Sequence, residues 1–212
     1  MAVIYAFGDS ITYGAWDVEK SGWVARLRVF LDEKQQKDPS LYYLLYNLGI
    51  PGETTEGLVK RFDHETQARR RGDEEVIFIF AFGANDNAYL VSKGRFRISK
   101  EEYIVNLNKV ISKAQAISSK IILLNITPVI DEANVLPRND KVRANSYVKE
   151  YNEALEVFTK EKGLPLIDVY SVFMNAGYES LFDEDGLHPN AEGHQLIFKA
   201  VKPVVEKMLS KY

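Results

Sequence analysis

VIYAFGDSITYGAW, residues 3–16, runs from an unbroken apolar segment straight into Gly8, Asp9 and Ser10, with Gly14 and the aromatic Tyr13 and Trp16 close behind. An apolar run without alternation reads as a strand covered on both faces, the mark of a parallel sheet lying between helices. Similar runs recur at 42–47, 76–82, 121–126 and 166–168. Helical patterns fill the gaps. In the clearest, Ile104, Leu107, Val110, Ile111, Ala114 and Ile117 recur at helical spacing behind Ser99-x-x-Glu102, a capping box. Residues 23–30, 58–68 and 148–158 repeat the pattern less regularly, and 197–209 closes the chain with Pro203 expected to kink or break the helix.

Strand and helix alternating throughout imply right-handed βαβ crossovers and an α/β fold, a three-layer αβα sandwich with about five parallel strands. The length of 212 residues suits a single domain spanning 1–212. Ligands of such folds bind beyond the carboxyl ends of the strands. The segments there are Gly8–Asp9–Ser10, residues 47–55, residues 83–87, residues 127–140 and residues 183–194, so polar side chains and glycines concentrate at one edge of the sheet. The stretches 87–98 and 129–141 read as structureless pocket walls.

Composition excludes several function classes. A formal charge of −3, with both signs interspersed, gives no basic face able to track nucleic acid. Arg69, Arg70 and Arg71 read as a solvated end late in a predicted helix, with Asp73, Glu74 and Glu75 following. The absence of cysteine rules out a disulfide framework, a thiolate nucleophile and any Cys-ligated zinc. Met1 leads into the apolar run without a basic leader, and no apolar run reaches membrane-spanning length, so a cytoplasmic protein without membrane insertion is expected. The sequence carries no mark of oligomeric state, and a small molecule is the expected partner.

The chemistry must therefore use oxygen or nitrogen. A serine hydroxyl attacks only when a base takes its proton, and the usual base is a histidine held in one tautomer by a carboxylate. His64 reads as exposed on a polar helix and His194 as a packing residue of the last helix. His188 stands at the ligand edge, three residues after Asp185 and before Pro189, a residue suited to a helix start. One turn could place the Asp185 carboxylate beside its imidazole and leave the other ring nitrogen for Ser10; in isolation Asp-x-x-His reads rather as a capping aspartate beside a surface histidine, but here it is not isolated. Acyl transfer also needs donors around the developing oxyanion. The backbone N–H of Gly52, the side-chain amide of Asn85 and the N–H of Ser10 qualify, against a turn glycine and a loop-capping asparagine as plainer readings. Asp9 and Asp86 read as loop organisers.

Together these blocks resemble the SGNH, or GDSL-type, hydrolase family: Gly-Asp-Ser at 8–10, Asn-x-Gly-x-x-Gly at 47–52, Gly-x-Asn-Asp at 83–86 and Asp-x-x-His-Pro at 185–189, in the family's order. The resemblance implies a flavodoxin-like sandwich and a serine esterase. It implies that Ser10 attacks an ester, His188 acts as base then acid, Asp185 orients it, and Ser10, Gly52 and Asn85 hold the oxyanion, with no cofactor and no metal. Substrates of that family run from acetylated sugars and aryl esters to thioesters and lysophospholipids. Tyr13, Trp16 and Tyr89, with Leu90 and Phe96, would supply apolar walls, favouring short to medium acyl groups or a stacked sugar. The α/β-hydrolase nucleophile pattern G-x-S-x-G is excluded, because Thr12 stands where its second glycine belongs. Two alternatives are a metal-dependent phosphoesterase, for which the chain shows too few ligand blocks, and a non-catalytic flavodoxin-like binding module.

Overall fold

The seven residues of β1 (Ala2–Gly8) are all buried, as an apolar run without alternation requires. The computed structural model of the chain describes residues 1–134 and 139–209. After β1 come a single helical turn α1 (Ser10–Tyr13), α2 (Gly22–Lys37), β2 (Tyr43–Gly49), α3 (Thr55–Gln67) and β3 (Glu75–Ala81). Next are the short strands β4 (Tyr89–Leu90) and β5 (Arg95–Phe96), then α4 (Lys100–Gln115), β6 (Ile121–Leu124), the turn α5 (Asp131–Asn134) and β7 (Lys141–Val142). The chain ends with α6 (Asn145–Lys162), β8 (Leu166–Ile167), α7 (Val169–Asn175) and α8 (Ala191–Leu209).

Five of the strands make a parallel sheet in the order β2-β1-β3-β6-β8. This is the flavodoxin-like doubly wound order, whose topological switch lies between β1 and β3. Helix α2 packs on α8, which also takes α7, while α3 packs on α4 and α4 on α6, giving the two outer layers. On the α3 side of the sheet, Phe7, Phe62, Phe78 and Phe80 meet as a cluster with ring centroids 5.4–6.1 Å apart. Such contacts add to area burial and fix the sheet that aims Gly8 and Ala81 at the same edge.

Several boundaries differ from those the pattern suggests. Asp168 ends β8 because its carboxylate accepts the Ser171 amide and caps α7. Arg69, Arg70 and Arg71 lie past the end of α3, where Arg69 pairs with Glu65 and Arg70 with Glu74. Pro203 does not break α8, which continues to Leu209. Pro189 precedes rather than opens α8: Asn190 caps it, its side-chain oxygen accepting the amides of Glu192 and Gly193. The stretch 87–98 is not structureless, since β4 pairs antiparallel with both β5 and β7 in a small second sheet. The expected loop 127–140 falls partly on 135–138, outside the described residues.

Candidate active site

Asp9 ends β1 and folds its carboxylate back to accept the Ile11 amide at 2.9 Å, capping the turn that begins with Ser10. That turn reverses tightly at Gly14 (φ +99°), against Gly22 (φ +93°). A Cβ on Gly22 would stand 2.4 Å from the Gly14 Cα, so both positions exclude a side chain. Asn47 holds the same turn from β2, donating to the Thr12 and Tyr13 carbonyls at 3.0 and 3.2 Å.

The opposite side of the site comes from the segment before α8. Asp185 Oδ1 accepts the amides of Leu187 and His188, each at 2.9 Å, so the loop coils around its own carboxylate. Asp185 Oδ2 lies 2.5 Å from His188 Nδ1, and His188 Nε2 lies 2.8 Å from Ser10 Oγ. Burial works against charge on Asp185, yet the bonds from the His188 ring and the two amides outweigh it and hold the carboxyl well below its ordinary range. An ionised carboxylate only accepts, so Nδ1 carries the imidazole proton and Nε2 turns a lone pair toward Ser10. The segment is propped by α5, from which the Asn134 amide donates to the Asp185 carbonyl at 3.1 Å.

The Gly52 and Asn85 segments join this edge. Gly52 sits at φ +77° with open space where a Cβ would be, so backbone conformation rather than crowding calls for glycine there. Arg61 of α3 pairs with Glu53 at 2.5 Å and donates to the Leu48 carbonyl at 2.7 Å, tying the Gly52 loop to the end of β2. The Asn85 amide donates to the Glu53 carbonyl at 3.1 Å and reaches Asp9 Oδ2 at 3.5 Å, so the loops after β1, β2 and β3 converge. Beneath them burial pushes Asp9 up to about 6, against the Ile11 amide and the charges of His188 and Arg143. Burial likewise pushes Asp86 up to about 7, although Asp86 Oδ1 accepts both the amide and hydroxyl of Thr55 at 3.0 and 2.5 Å.

The expected wall residues separate. Tyr13 is exposed beside the serine turn. Trp16 lies against the acid and base: its indole Nε1 is 2.9 Å from His188 Nδ1 and 3.2 Å from Asp185 Oδ2, and its ring meets the imidazole edge-on. Tyr89 packs with Phe96 of the small sheet and with Tyr147 of α6, at 5.5 and 6.3 Å between ring centroids. His64 is exposed, and His194 is fully buried, with Nε2 at 3.2 Å from the Ala15 carbonyl. Arg143, unmarked by any sequence motif, is buried with its Nε on the Ala84 carbonyl at 3.3 Å and within electrostatic reach of Asp9 and Asp185. Among the described residues, no group of three or more His, Asp or Glu side chains gathers as a metal site would need, and no helix is long and apolar enough to cross a membrane.

Residues 6–196 match the profile of the GDSL-like lipase/acylhydrolase family. The human isoamyl acetate-hydrolyzing esterase 1 homolog is 26% identical, with 96% of this chain and 81% of that protein covered. The lipoprotein YqeF of Bacillus subtilis is also 26% identical, over 94% of this chain and 87% of its own length. A lipase/acylhydrolase from Enterococcus faecalis superposes with a TM-score of 0.73 at 25% identity, covering 97% and 95% of the two chains. Axe2, an acetylxylan esterase from Geobacillus stearothermophilus, shares the fold at a TM-score of 0.75 and 18% identity, covering 96% and 94%.

Proposed function

The chain belongs to the GDSL-like lipase/acylhydrolase family, a family of carboxylic ester hydrolases, and on that premise we propose a serine esterase whose acyl-enzyme forms on Ser10. The observation that carries the reading is the relay of 2.8 Å from Ser10 Oγ to His188 Nε2 and 2.5 Å from Nδ1 to Asp185. In the first half-reaction Ser10 Oγ bonds to the ester carbonyl carbon as its proton passes to His188 Nε2. The carbon–alkoxide bond then breaks, and the departing oxygen takes that proton. In the second, water enters by the same route, giving the carboxylic acid and restoring the hydroxyl. Asp185 stays ionised and keeps the imidazole in the tautomer that can accept.

The oxyanion is held in this reading by the N–H groups of Ser10 and Gly52 and the side-chain amide of Asn85. The meeting of the three loops supports it. In the free protein Asn85 donates to the Glu53 carbonyl at 3.1 Å and, at the long distance of 3.5 Å, to Asp9 Oδ2, so the second and weaker of its two N–H bonds is the one that substrate would take over.

The favoured substrate is an ester of a short acyl group, carried on an aliphatic alcohol, an aryl group or a sugar. The name of the human relative, which specifies isoamyl acetate, supports a short acyl chain. Exposed Tyr13 and Trp16 beside the serine and histidine offer apolar surface to the alcohol portion. Hydrolysis of p-nitrophenyl esters of graded length by the wild type and Ser10→Ala tests the proposal. Turnover falling from acetate or butyrate to long chains, and lost in the variant, is the expected result. Rates that climb out to long chains would overturn the acyl preference, and retained turnover in the variant would overturn the mechanism.

A further inference from the structure

Trp16 is the bulky residue of the serine loop held at positive φ, +68°. An L side chain of that size is a marked outlier there, and such strain persists only where the surroundings fix it. Both flanking residues are clamped. The Ala15 amide donates to the Ser10 carbonyl at 3.0 Å, and the Ala15 carbonyl faces Nε2 of buried His194 at 3.2 Å. Next door, the Asp17 carboxylate accepts the amides of Glu19, Lys20 and Gly22 and pairs with Arg26. Arg26 in turn donates to the Ala191 carbonyl and the Gln195 side chain at the start of α8, just beyond His188. Buried groups with no part in the relay thus hold one exposed tryptophan in a costly conformation.

That conformation aims the single indole N–H at the Asp185–His188 pair, at 3.2 Å from Oδ2 and 2.9 Å from Nδ1. The two acceptors are not equivalent. With the Nδ1 proton engaged by Asp185 at 2.5 Å, Nδ1 has no lone pair to offer. The opposite tautomer would set that lone pair against the carboxylate. We infer that Trp16 is a positioning residue: its indole N–H donates to Asp185 Oδ2, the same oxygen that orients His188, while its ring, edge-on at 88° to the imidazole, keeps the histidine facing Ser10. This goes beyond the aromatic-wall role, which needs only the ring face. Its kinetic consequence rests on the serine-esterase reading; the hydrogen bond itself does not.

The chain has two tryptophans, so indole N–H resonances of 15N-labelled protein reduce to Trp16 and Trp23. Trp16→Phe assigns the pair. The expected Trp16 signal lies downfield of a water-exposed indole and moves upfield in Asp185→Asn, which keeps an oxygen for the loop amides but can present N–H in place of Oδ2. In steady-state hydrolysis of p-nitrophenyl acetate, Trp16→Phe retains the ring and loses the donor. It should lower kcat about tenfold with KM nearly unchanged, the scale of one hydrogen bond to a charged group. A Trp16 resonance at the exposed position and indifferent to Asp185→Asn would overturn the inference. So would a Phe variant with full kcat and a raised KM, the signature of a wall alone. A wild type inactive on every ester would defeat the proposed function while leaving the resonance test to decide the hydrogen bond.

Discussion

His188 Nε2 stands 2.8 Å from Ser10 Oγ although 178 positions separate the two residues in the chain. The parallel sheet makes this contact possible. Ser10 leaves the carboxyl end of β1, and His188 is carried to the same edge by the segment ahead of α8. His188→Ala should therefore reduce kcat by at least about a thousandfold, as expected when the base of such a unit is removed. Circular dichroism should show the fold retained. Activity within tenfold of wild type would mean that the serine does not depend on this imidazole.

Protonation of the same imidazole should silence the enzyme. A charged ring has no lone pair for the Ser10 proton, so kcat/KM falls on the acid side as that ring takes up a proton. Asp185, held well below the ordinary carboxylate range, stays ionised meanwhile and adds no second step. A rate profile flat down to strongly acid pH would contradict this. Treatment with a chelator should leave the rate unchanged, whereas the metal-dependent phosphoesterase alternative requires its loss.

Asn85 carries the only side-chain donor in the proposed oxyanion hole. Replacing it with alanine should cost about 100- to 1,000-fold in kcat, the usual effect of deleting one such donor. KM should change little, because the charge develops only on the way to the transition state. A loss confined to KM would move Asn85 from the reaction to substrate binding.

Asp86 should make the fold sensitive to pH. Burial raises its folded-state value to about 7, above the ordinary carboxylate value of about 3.9 that holds in the unfolded chain. Between those values the native state binds the extra proton, so this group favours folding increasingly as pH falls from 8 toward 4. Asp86→Asn keeps an oxygen for Thr55 and removes the titration. The variant's Tm should gain on wild type at pH 8 and lose that advantage at pH 5; the opposing titration of buried His194, held near 4, affects both proteins alike. An equal Tm difference at the two pH values would show that Asp86 does not carry the effect.

The parts of the molecule legible in sequence are those encoded locally. Unbroken apolar runs marked the five parallel strands, and Ser99 marked the start of α4, where its hydroxyl accepts the Glu102 amide at 3.2 Å. The compact Asp185-x-x-His188 spacing foretold the coiled loop because three residues suffice to build it. What tertiary contacts decide was not legible. Strands of two residues, such as Tyr89–Leu90 and Lys141–Val142, carry no periodicity, and their pairing depends on segments far apart in the chain. The aim of Trp16 follows from a positive φ held by His194, Asp17 and Arg26, none of which signals an aromatic side chain turned toward Asp185. Arg143 was missed for the same reason, having no motif around it.

The most direct test of the central claim is covalent labelling. A fluorophosphonate reacts with a serine only where a neighbouring base activates it, so wild-type protein should acquire one adduct, located by peptide mass at Ser10, with labelling abolished in His188→Ala. An unmodified Ser10 peptide after full exposure to the reagent, or a stoichiometric adduct on another residue, would contradict the account.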